Sequence, residues 1–238
     1  MTSEPASPGG PIGVVVLGAG EGQRMKGLDK IFASVHGHPL IVHSLRPFTT
    51  ISNVQQIVLI LPEHRLEEGR ALMARYGWEK TVRVSHGGPR RQDSVRAGLE
   101  HLTPCTWVTV HDGARPLIDI ETLNRGLEAA QETGAAVAAV PVKDTVKVVS
   151  KSGLVSETPP RETLWQVQTP QIFRYELIME AHRRSKGTFT DDGAMVESLG
   201  HPVKVFMGSY RNIKVTTPED LLLVKALMDG AEAGSILP

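Results

Sequence analysis

Cysteine is almost absent from the 238-residue chain: Cys105 is the only one. A lone thiol cannot form an intramolecular disulfide and argues against a thiolate zinc site, as expected in a reducing compartment. Cys105 opens onto the apolar run TWVTV, so it reads as a small buried residue. An excess of one charge is also missing. The 26 Lys and Arg balance 26 Asp and Glu, so nothing in the net charge points to nucleic acid or a membrane surface as the main partner, and any basic cluster must be local. No apolar run approaches the ~20 residues of a membrane span. The opening MTSEPASPGGPIG has neither the basic start nor the apolar stretch of a signal peptide, and residues 1–11 read as a disordered tail of a cytoplasmic protein. There is no internal repeat, and nothing of low complexity beyond that tail. What remains is ordinary globular composition, 40% hydrophobic and 22% charged, in a chain long enough to bury a real core.

Short β-branched runs alternate with stretches of helical period: GVVVLG, PLIVHSLRPF, QQIVLILP, HRLEEGRALMARYG, TVRVS, DSVRAGLEHL and TWVTVH. Strands separated by helices imply βαβ crossovers, hence an α/β fold with a doubly wound, mainly parallel twisted sheet covered on both faces. The strands at 14–17 and 57–61 are apolar throughout, which suits two-sided burial. Ligands of such sheets sit at the carboxyl ends of the strands.

The pattern breaks at about 142–168. The segment VKDTVKVVSKSGLVSETPPRETLWQVQ reads as two alternating strands around a Ser-Lys-Ser-Gly turn. So polar a hairpin cannot make its own core and is expected to lie against a second subunit. Beyond it the sequence predicts a helix over 175–185, a loop with a helix start at Thr190, Asp191 and Asp192, and a strand over 203–207. NIKV then leads into a final helix, whose Pro218, Glu219 and Asp220 suit a first turn.

Three places carry chemistry. In VVVLGAGEGQRMKGLDK a buried strand ends at Gly18, Ala19, Gly20 and Gly22, followed by Arg24 and Lys30. Glycines let the backbone approach a triphosphate and aim amides at it, and two cations neutralise charge that grows in phosphoryl transfer. The spacing fails the third glycine of a dinucleotide fingerprint, and no acid is placed for a ribose, which disfavours a nicotinamide-dependent oxidoreductase. Lys30 lies too far along for a Walker loop. Gly87 and Gly88 offer a flat backbone surface to a pyrimidine edge, with Ser94 near a helix start able to hydrogen-bond it; a plain Gly-Gly turn is the competing reading. Asp112 ends a buried strand between His111 and Arg115. Such a carboxylate can hold magnesium, orient a substrate hydroxyl, or form a structural pair with Arg115. His111 reads as a packed strand residue.

The glycine-rich loop followed by Arg24 and Lys30 resembles nucleotidyltransferases of the glycosyltransferase-A-like, Rossmann-type group. GGPRRQDSVRAGL, VHDGARP, VPVKDTVK, TPQIF, TDDG and NIKVTTPEDL, in this order and spacing, resemble the 2-C-methyl-D-erythritol 4-phosphate cytidylyltransferase family over roughly residues 12–230. The resemblance implies one nucleotidyltransferase domain over 12–230 with a protruding dimerisation arm, and a short tail at 231–238. It implies CTP as co-substrate, Mg2+ as divalent cation with Asp112 as its ligand, and a homodimer. Gly18, Ala19, Gly20, Gly22, Gly87, Gly88, Ser94 and Gly113 would hold the nucleotide. Where the family often has an acid after the two glycines this chain has Pro89, leaving backbone contacts there. Arg24 and Lys30 would sit on the triphosphate, and Arg161 and Lys214 would position the incoming phosphate. Asp112, Arg115, Thr145, Lys147, Thr169 and Thr190 would complete the polyol phosphate pocket, with Arg161 and Thr169 acting in the neighbouring subunit's site. The nearest alternative is a ribitol-5-phosphate or other polyol phosphate cytidylyltransferase, against which Lys147 in KDTVK speaks. A binding module without turnover is disfavoured by the retention of Arg24, Lys30, Asp112 and Lys214. Ending at Pro238, the chain is expected to carry no fused cyclodiphosphate synthase.

Overall fold

The structure is a computed structural model that describes residues 9–19 and 30–232. The expectations placed on residues 1–8, Gly20, Gly22, Arg24 and residues 233–238 lie outside the described residues. In chain order the elements are β1 (Ile12–Leu17), β2 (Ser34–Val35), β3 (His38–Pro39), α1 (Leu40–Thr50), β4 (Val54–Leu61), α2 (Leu66–Arg75), β5 (Val82–His86), α3 (Arg91–Glu100) and β6 (Trp107–Asp112). They continue with α4 (Ile120–Thr133), β7 (Ala135–Pro141), β8 (Val148–Val149), β9 (Val155–Glu157), β10 (Trp165–Arg174), α5 (Tyr175–Arg184), α6 (Asp192–Glu197), β11 (Lys204–Met207) and α7 (Pro218–Glu232).

Among the described residues the main sheet has seven strands in the order β11-β7-β10-β6-β1-β4-β5. β1 runs parallel to β4 and β6, β4 to β5, and β11 to β7; β10 alone runs antiparallel, between β6 and β7. This is the mainly parallel α/β sheet that the alternation of strand and helix predicts.

Strand periodicity divides the core into two layers. Val14, Val16, Ile57 and Leu59 face one side, where Leu45 and Phe48 of α1 and Leu123 and Leu127 of α4 cover them. Val15, Val58 and Ile60 face the other, under Val95 and Leu99 of α3 and Ile178 and Ala181 of α5. Each such fully buried side chain contributes about 1.5–3 kcal/mol over leaving it exposed. At Gly98 the backbone of α3 lies so near β1 that an added Cβ would come within 2.4 Å of Val15 Cγ1. That contact fixes how deeply α3, and the loop before it, sit over the sheet.

Local chemistry sets the ends of α4. The Asp119 side chain accepts the Thr122 N–H at 2.6 Å, and Gly134, at φ 82°, closes the helix by donating its N–H to Ala130 O at 2.7 Å. Leu123, Leu127 and Ala130 share its buried face at helical spacing.

The expected hairpin around the Ser-Lys-Ser-Gly turn is present but shorter than 142–168. Only β8 and β9 pair there, and the chain from Trp165 onward leaves the arm to become β10 of the main sheet. The physical reason is the change from the alternating polar pattern of the arm to the buried run Gln168–Phe173, which the two sheet faces cover. Beyond the sheet, α7 packs Val224 against Val35, Leu40 and Val215. Its Asp220 accepts the N–H groups of Thr216 and Thr217 at 2.8 and 2.9 Å, which holds the segment leading out of Lys214.

Candidate active site

The carboxyl ends of β1, β4, β5 and β6 open onto a cleft of about 530 Å³. Gly18, Ala19, Lys30, Gly87, Gly88, Ser94, Asp112 and Lys214 line it, so motifs from five separate stretches of sequence converge there. Gly18 donates to Ile60 O at 2.7 Å and Gly87 to Leu61 O at 3.1 Å, docking both loops on β4. A Cβ on Gly87 would lie 2.6 Å from Ser94 Oγ and 2.8 Å from Ala19 Cβ, so only glycine lets these three come together. Ser94 Oγ accepts the Gly88 N–H at 3.2 Å, and the Asp93 carboxylate accepts from the Arg90 backbone N–H and from Nε and Nη2 of its guanidinium. The Gly-Gly loop is thus a rigid backbone surface before any ligand arrives.

A second cleft of about 300 Å³ adjoins the first. Arg115, Gln168, Thr169, Thr190 and Asp191 line it, and Arg91, Asp112 and Lys214 belong to both. In the lining of the two clefts five basic side chains face three acidic ones, a local excess in a chain whose total balances.

Asp112 stands at the junction and is only 7% exposed. Lys214 Nζ is 2.9 Å from its Oδ2, Arg115 Nε 3.3 Å from the same oxygen, and Arg91 Nε 4.0 Å from Oδ1. Burial by itself would raise its carboxyl pKa; Lys214, Arg91 and Arg115 reverse this and hold it well below the usual carboxylate range. Arg91 is gripped from its other side by the fully buried Asp192, at 2.7 Å, which also meets His182 Nε2 at 3.2 Å. Burial disfavours the Arg91 charge, but Asp192 and Asp112 more than restore it. Lys214 is held at the mouth because the next residue, Val215, donates to Ala114 O at 2.8 Å in the turn after Asp112.

Beneath the junction lies a buried polar layer. Thr169 Oγ1 accepts the Asp112 N–H at 2.9 Å and contacts His111 Nδ1 at 3.1 Å, while His111 Nε2 lies 3.2 Å from Arg115 O. Asn212 donates through Nδ2 to Thr169 O at 2.7 Å and accepts Arg115 Nη1 on its carbonyl, also at 2.7 Å. Burial pushes the His111 imidazole down to about 4, so it is neutral.

Several expectations are placed differently by the structure. Thr169, expected in the neighbouring subunit's site, lines the cleft of its own chain, because β10 is inserted beside β6 and carries residue 169 to the end of that strand. Gly113 lies behind the wall and lines neither cleft: its N–H is committed to Leu17 O at 2.8 Å, its carbonyl to Ser44 Oγ at 2.7 Å, and a Cβ would meet Ile41 Cδ1 at 2.5 Å. It serves packing, and its amide is not offered to a nucleotide. Thr145, Lys147 and Arg161 are exposed on the arm and line neither cleft. Lys147 Nζ donates to Thr158 Oγ1 at 2.8 Å, and Arg161, in a single 3-10 turn, donates to Lys143 O at 2.9 Å. Among the described residues no cluster of three His, Cys, Asp or Glu could cage a metal ion. The sequence reading passed over Arg91, Gln168 and Asn212. Arg91 had a usable signal, as a cation opening a helix directly after the Gly-Gly loop; Gln168 and Asn212 had none.

Residues 12–230 match the sequence profile of the 2-C-methyl-D-erythritol 4-phosphate cytidylyltransferase family, IspD. A protein of that name from Dehalococcoides mccartyi (strain ATCC BAA-2266 / KCTC 15142 / 195) is 49% identical over 217 residues, spanning 91% of this chain and 96% of that protein. One from Pelotomaculum thermopropionicum is 45% identical over 235 residues, spanning 94% and 98%. The crystal structure of the 2-C-methyl-D-erythritol 4-phosphate cytidylyltransferase from Thermus thermophilus superposes with a TM-score of 0.75 at 33% identity, covering 90% of this chain and 98% of that one. The 4-diphosphocytidyl-2C-methyl-D-erythritol synthase from Anaerococcus prevotii gives 0.81 at 28% identity, covering 92% and 98%. With this similarity over nearly its whole length, and two adjoining clefts at the strand ends where its motifs meet, the chain belongs to the 2-C-methyl-D-erythritol 4-phosphate cytidylyltransferase family.

Proposed function

We propose that this chain transfers CMP from CTP to 2-C-methyl-D-erythritol 4-phosphate in the cytoplasm, a step of non-mevalonate isoprenoid precursor biosynthesis. A phosphate oxygen of the acceptor attacks the α-phosphorus of CTP in line, the bond to the β-phosphate breaks, and pyrophosphate leaves. The nucleophile is already an anion and needs no base. The protein's task is to align two polyanions and to offset charge in the transition state.

The observation that carries this reading is the meeting of two clefts at Lys214, Arg91 and Asp112. In this reading the larger cleft takes CTP, with cytosine on the backbone of Gly87 and Gly88 beside Ser94 and the phosphates over Gly18, Ala19, Gly20 and Gly22. Lys30 and Arg24 neutralise the triphosphate. The smaller cleft takes the polyol phosphate, with its hydroxyls toward Thr169 and Thr190 and its phosphate toward Lys214 and Arg115. Lys214 is partly exposed, so its ammonium can turn from Asp112 to an arriving phosphate without unfolding its loop. Arg91, fixed by Asp192, is a stationary charge between the two.

A single carboxylate among cations does not make an all-protein cage, and a divalent cation such as magnesium would need further ligands from the substrates. Asp112 would hold it, and the bound ion would supply further charge neutralisation. The arm presents Val148, Val149, Leu154 and Val155 to solvent, and Trp165 at the start of β10 is exposed as well; these apolar side chains are ones a second copy would cover. Such a homodimer would bring Thr145, Lys147 and Arg161 to the partner's acceptor cleft, with residues 12–230 acting as one domain. Among the described residues no helix is long and apolar enough to cross a membrane.

The test is pyrophosphate release with four nucleoside triphosphates, each offered methylerythritol phosphate or ribitol phosphate. CTP with methylerythritol phosphate should be the one efficient pair. Equal turnover with ribitol phosphate, or no preference among nucleotides, would reject the assignment.

A further inference from the structure

His111 is fully buried on β6, and none of the roles above uses it. Its ring nevertheless joins the two segments that shape the acceptor cleft. On one side Nε2 meets the backbone carbonyl of Arg115 at 3.2 Å; on the other Nδ1 meets Thr169 Oγ1 at 3.1 Å. Phe48 packs against the ring, with centroids 5.4 Å apart. A carbonyl can only accept, so Nε2 carries the proton and donates. The ring is fully enclosed and both its nitrogens meet uncharged partners, so it is a neutral imidazole with one N–H; Nδ1 can only accept, and the Thr169 hydroxyl must donate to it. The Asp112 N–H takes one lone pair of the same hydroxyl at 2.9 Å. Asn212 Nδ2 holds the Thr169 carbonyl at 2.7 Å, so the residue is tied at backbone and side chain alike. One lone pair of Thr169 Oγ1 is left for the cleft that this residue lines. An oxygen in that state accepts from a hydroxyl and repels a phosphate oxygen.

We propose that His111 is a specificity-determining positioning residue: by fixing the direction of the Thr169 hydroxyl, it makes that corner of the acceptor cleft a site for a hydroxyl of the sugar alcohol and turns the phosphate toward Lys214 and Arg115. The inference rests on the reading of this cleft as the polyol phosphate site. It deepens that reading by assigning which end of the substrate meets Thr169.

Two measurements test it. In 15N-histidine spectra of the full chain, the His111 resonance, assigned by its loss in His111→Gln, should show the neutral Nε2–H tautomer. An Nδ1–H tautomer would overturn the proposal whatever the enzyme's activity. Kinetics with each substrate varied in turn form the second test. A glutamine amide has an acceptor and a donor on one planar group and can serve both partners; leucine fills space and serves neither. His111→Leu should raise KM for methylerythritol phosphate about tenfold and leave KM for CTP within about twofold, while His111→Gln restores most of the loss. In a Thr169→Val background, His111→Leu should cost no more than about twofold further, because the hydroxyl that His111 directs is already gone. Equal rises in both KM values, in the leucine variant or in the glutamine variant should leucine fail to fold, would reduce His111 to packing and overturn the proposal. So would independent, multiplicative effects in the double variant. A wild-type enzyme that turned over no methylerythritol phosphate would instead reject the cleft assignment beneath it, and the tautomer would still report the hydrogen-bond direction.

Discussion

Asp112 and Lys214 form a half-buried pair whose charges are set by their neighbours, and the consequence for activity differs from that for folding. Lys214→Ala removes one cation from the junction, yet Arg115 and Arg91 still face the carboxylate, so thermal melting should stay close to wild type. The loss should fall on turnover, with kcat/KM down by about 10²–10³; near-normal kcat/KM would contradict the role given to Lys214. His111 governs stability toward acid. An unfolded histidine takes up a proton near 6.5, whereas buried His111 resists until about 4. Between those values the unfolded chain binds more protons than the folded one, so stability falls as pH falls, on the order of 3 kcal/mol across the window. Asp112 adds to the loss at still lower pH, because its folded carboxyl is held below the unfolded value of 3.8. Denaturation midpoints measured across that window should fall less steeply for His111→Gln than for wild type, and parallel curves would show that His111 is not buried in its neutral form. At this scale the sequence was legible wherever a residue's type alone restricts its use. Lys214 and Asp112 each sit in a motif whose chemistry needs a charge at a loop. Arg91 and Asn212 draw their importance from partners such as Asp192, Thr169 and Arg115, up to 101 residues away in sequence, and no local pattern encodes such a distance.

The placement of α3 sets where the Gly-Gly loop lies. α3 carries Arg91 and Ser94 on its first turn and lies directly on β1 through Gly98. Gly98→Ala would drive a methyl group into Val15, lifting the helix or bending the strand at a cost of about 1–3 kcal/mol. Because that shift moves Ser94 and the Gly-Gly loop together, KM for CTP should rise more than KM for the acceptor; a stable variant with both values unchanged would show that α3 does not set the geometry of the loop. Strands and helices of the first half were legible because their periods are unmixed, as in the apolar runs of β1 and β4. The arm was only half legible. Its alternating pattern marked a hairpin, but alternation does not say where a strand leaves one sheet and enters another. That handover at Trp165 is what returns Thr169 to its own chain's site.

At the scale of the whole molecule, the exposed arm and the two clefts make one prediction together. Subunits carrying Arg161→Ala are mixed with subunits carrying Lys214→Ala under conditions of exchange. If Arg161 serves the partner's site, each mixed dimer regains one intact site, and activity should recover to about a quarter of wild type. No recovery despite proven exchange would count against a site shared between subunits. The proposed reaction turns on one junction, where Lys214, Arg91 and Asp112 line both the larger cleft, proposed for the nucleotide, and the smaller one, proposed for the acceptor. A crystal structure with bound 4-diphosphocytidyl-2-C-methyl-D-erythritol tests it most directly. The cytosine should rest on Gly87 and Gly88, the polyol should reach Thr169 and Thr190, and the diphosphate should lie within about 3 Å of Lys214 Nζ. A diphosphate bound elsewhere, with Lys214 still paired to Asp112, would contradict the account.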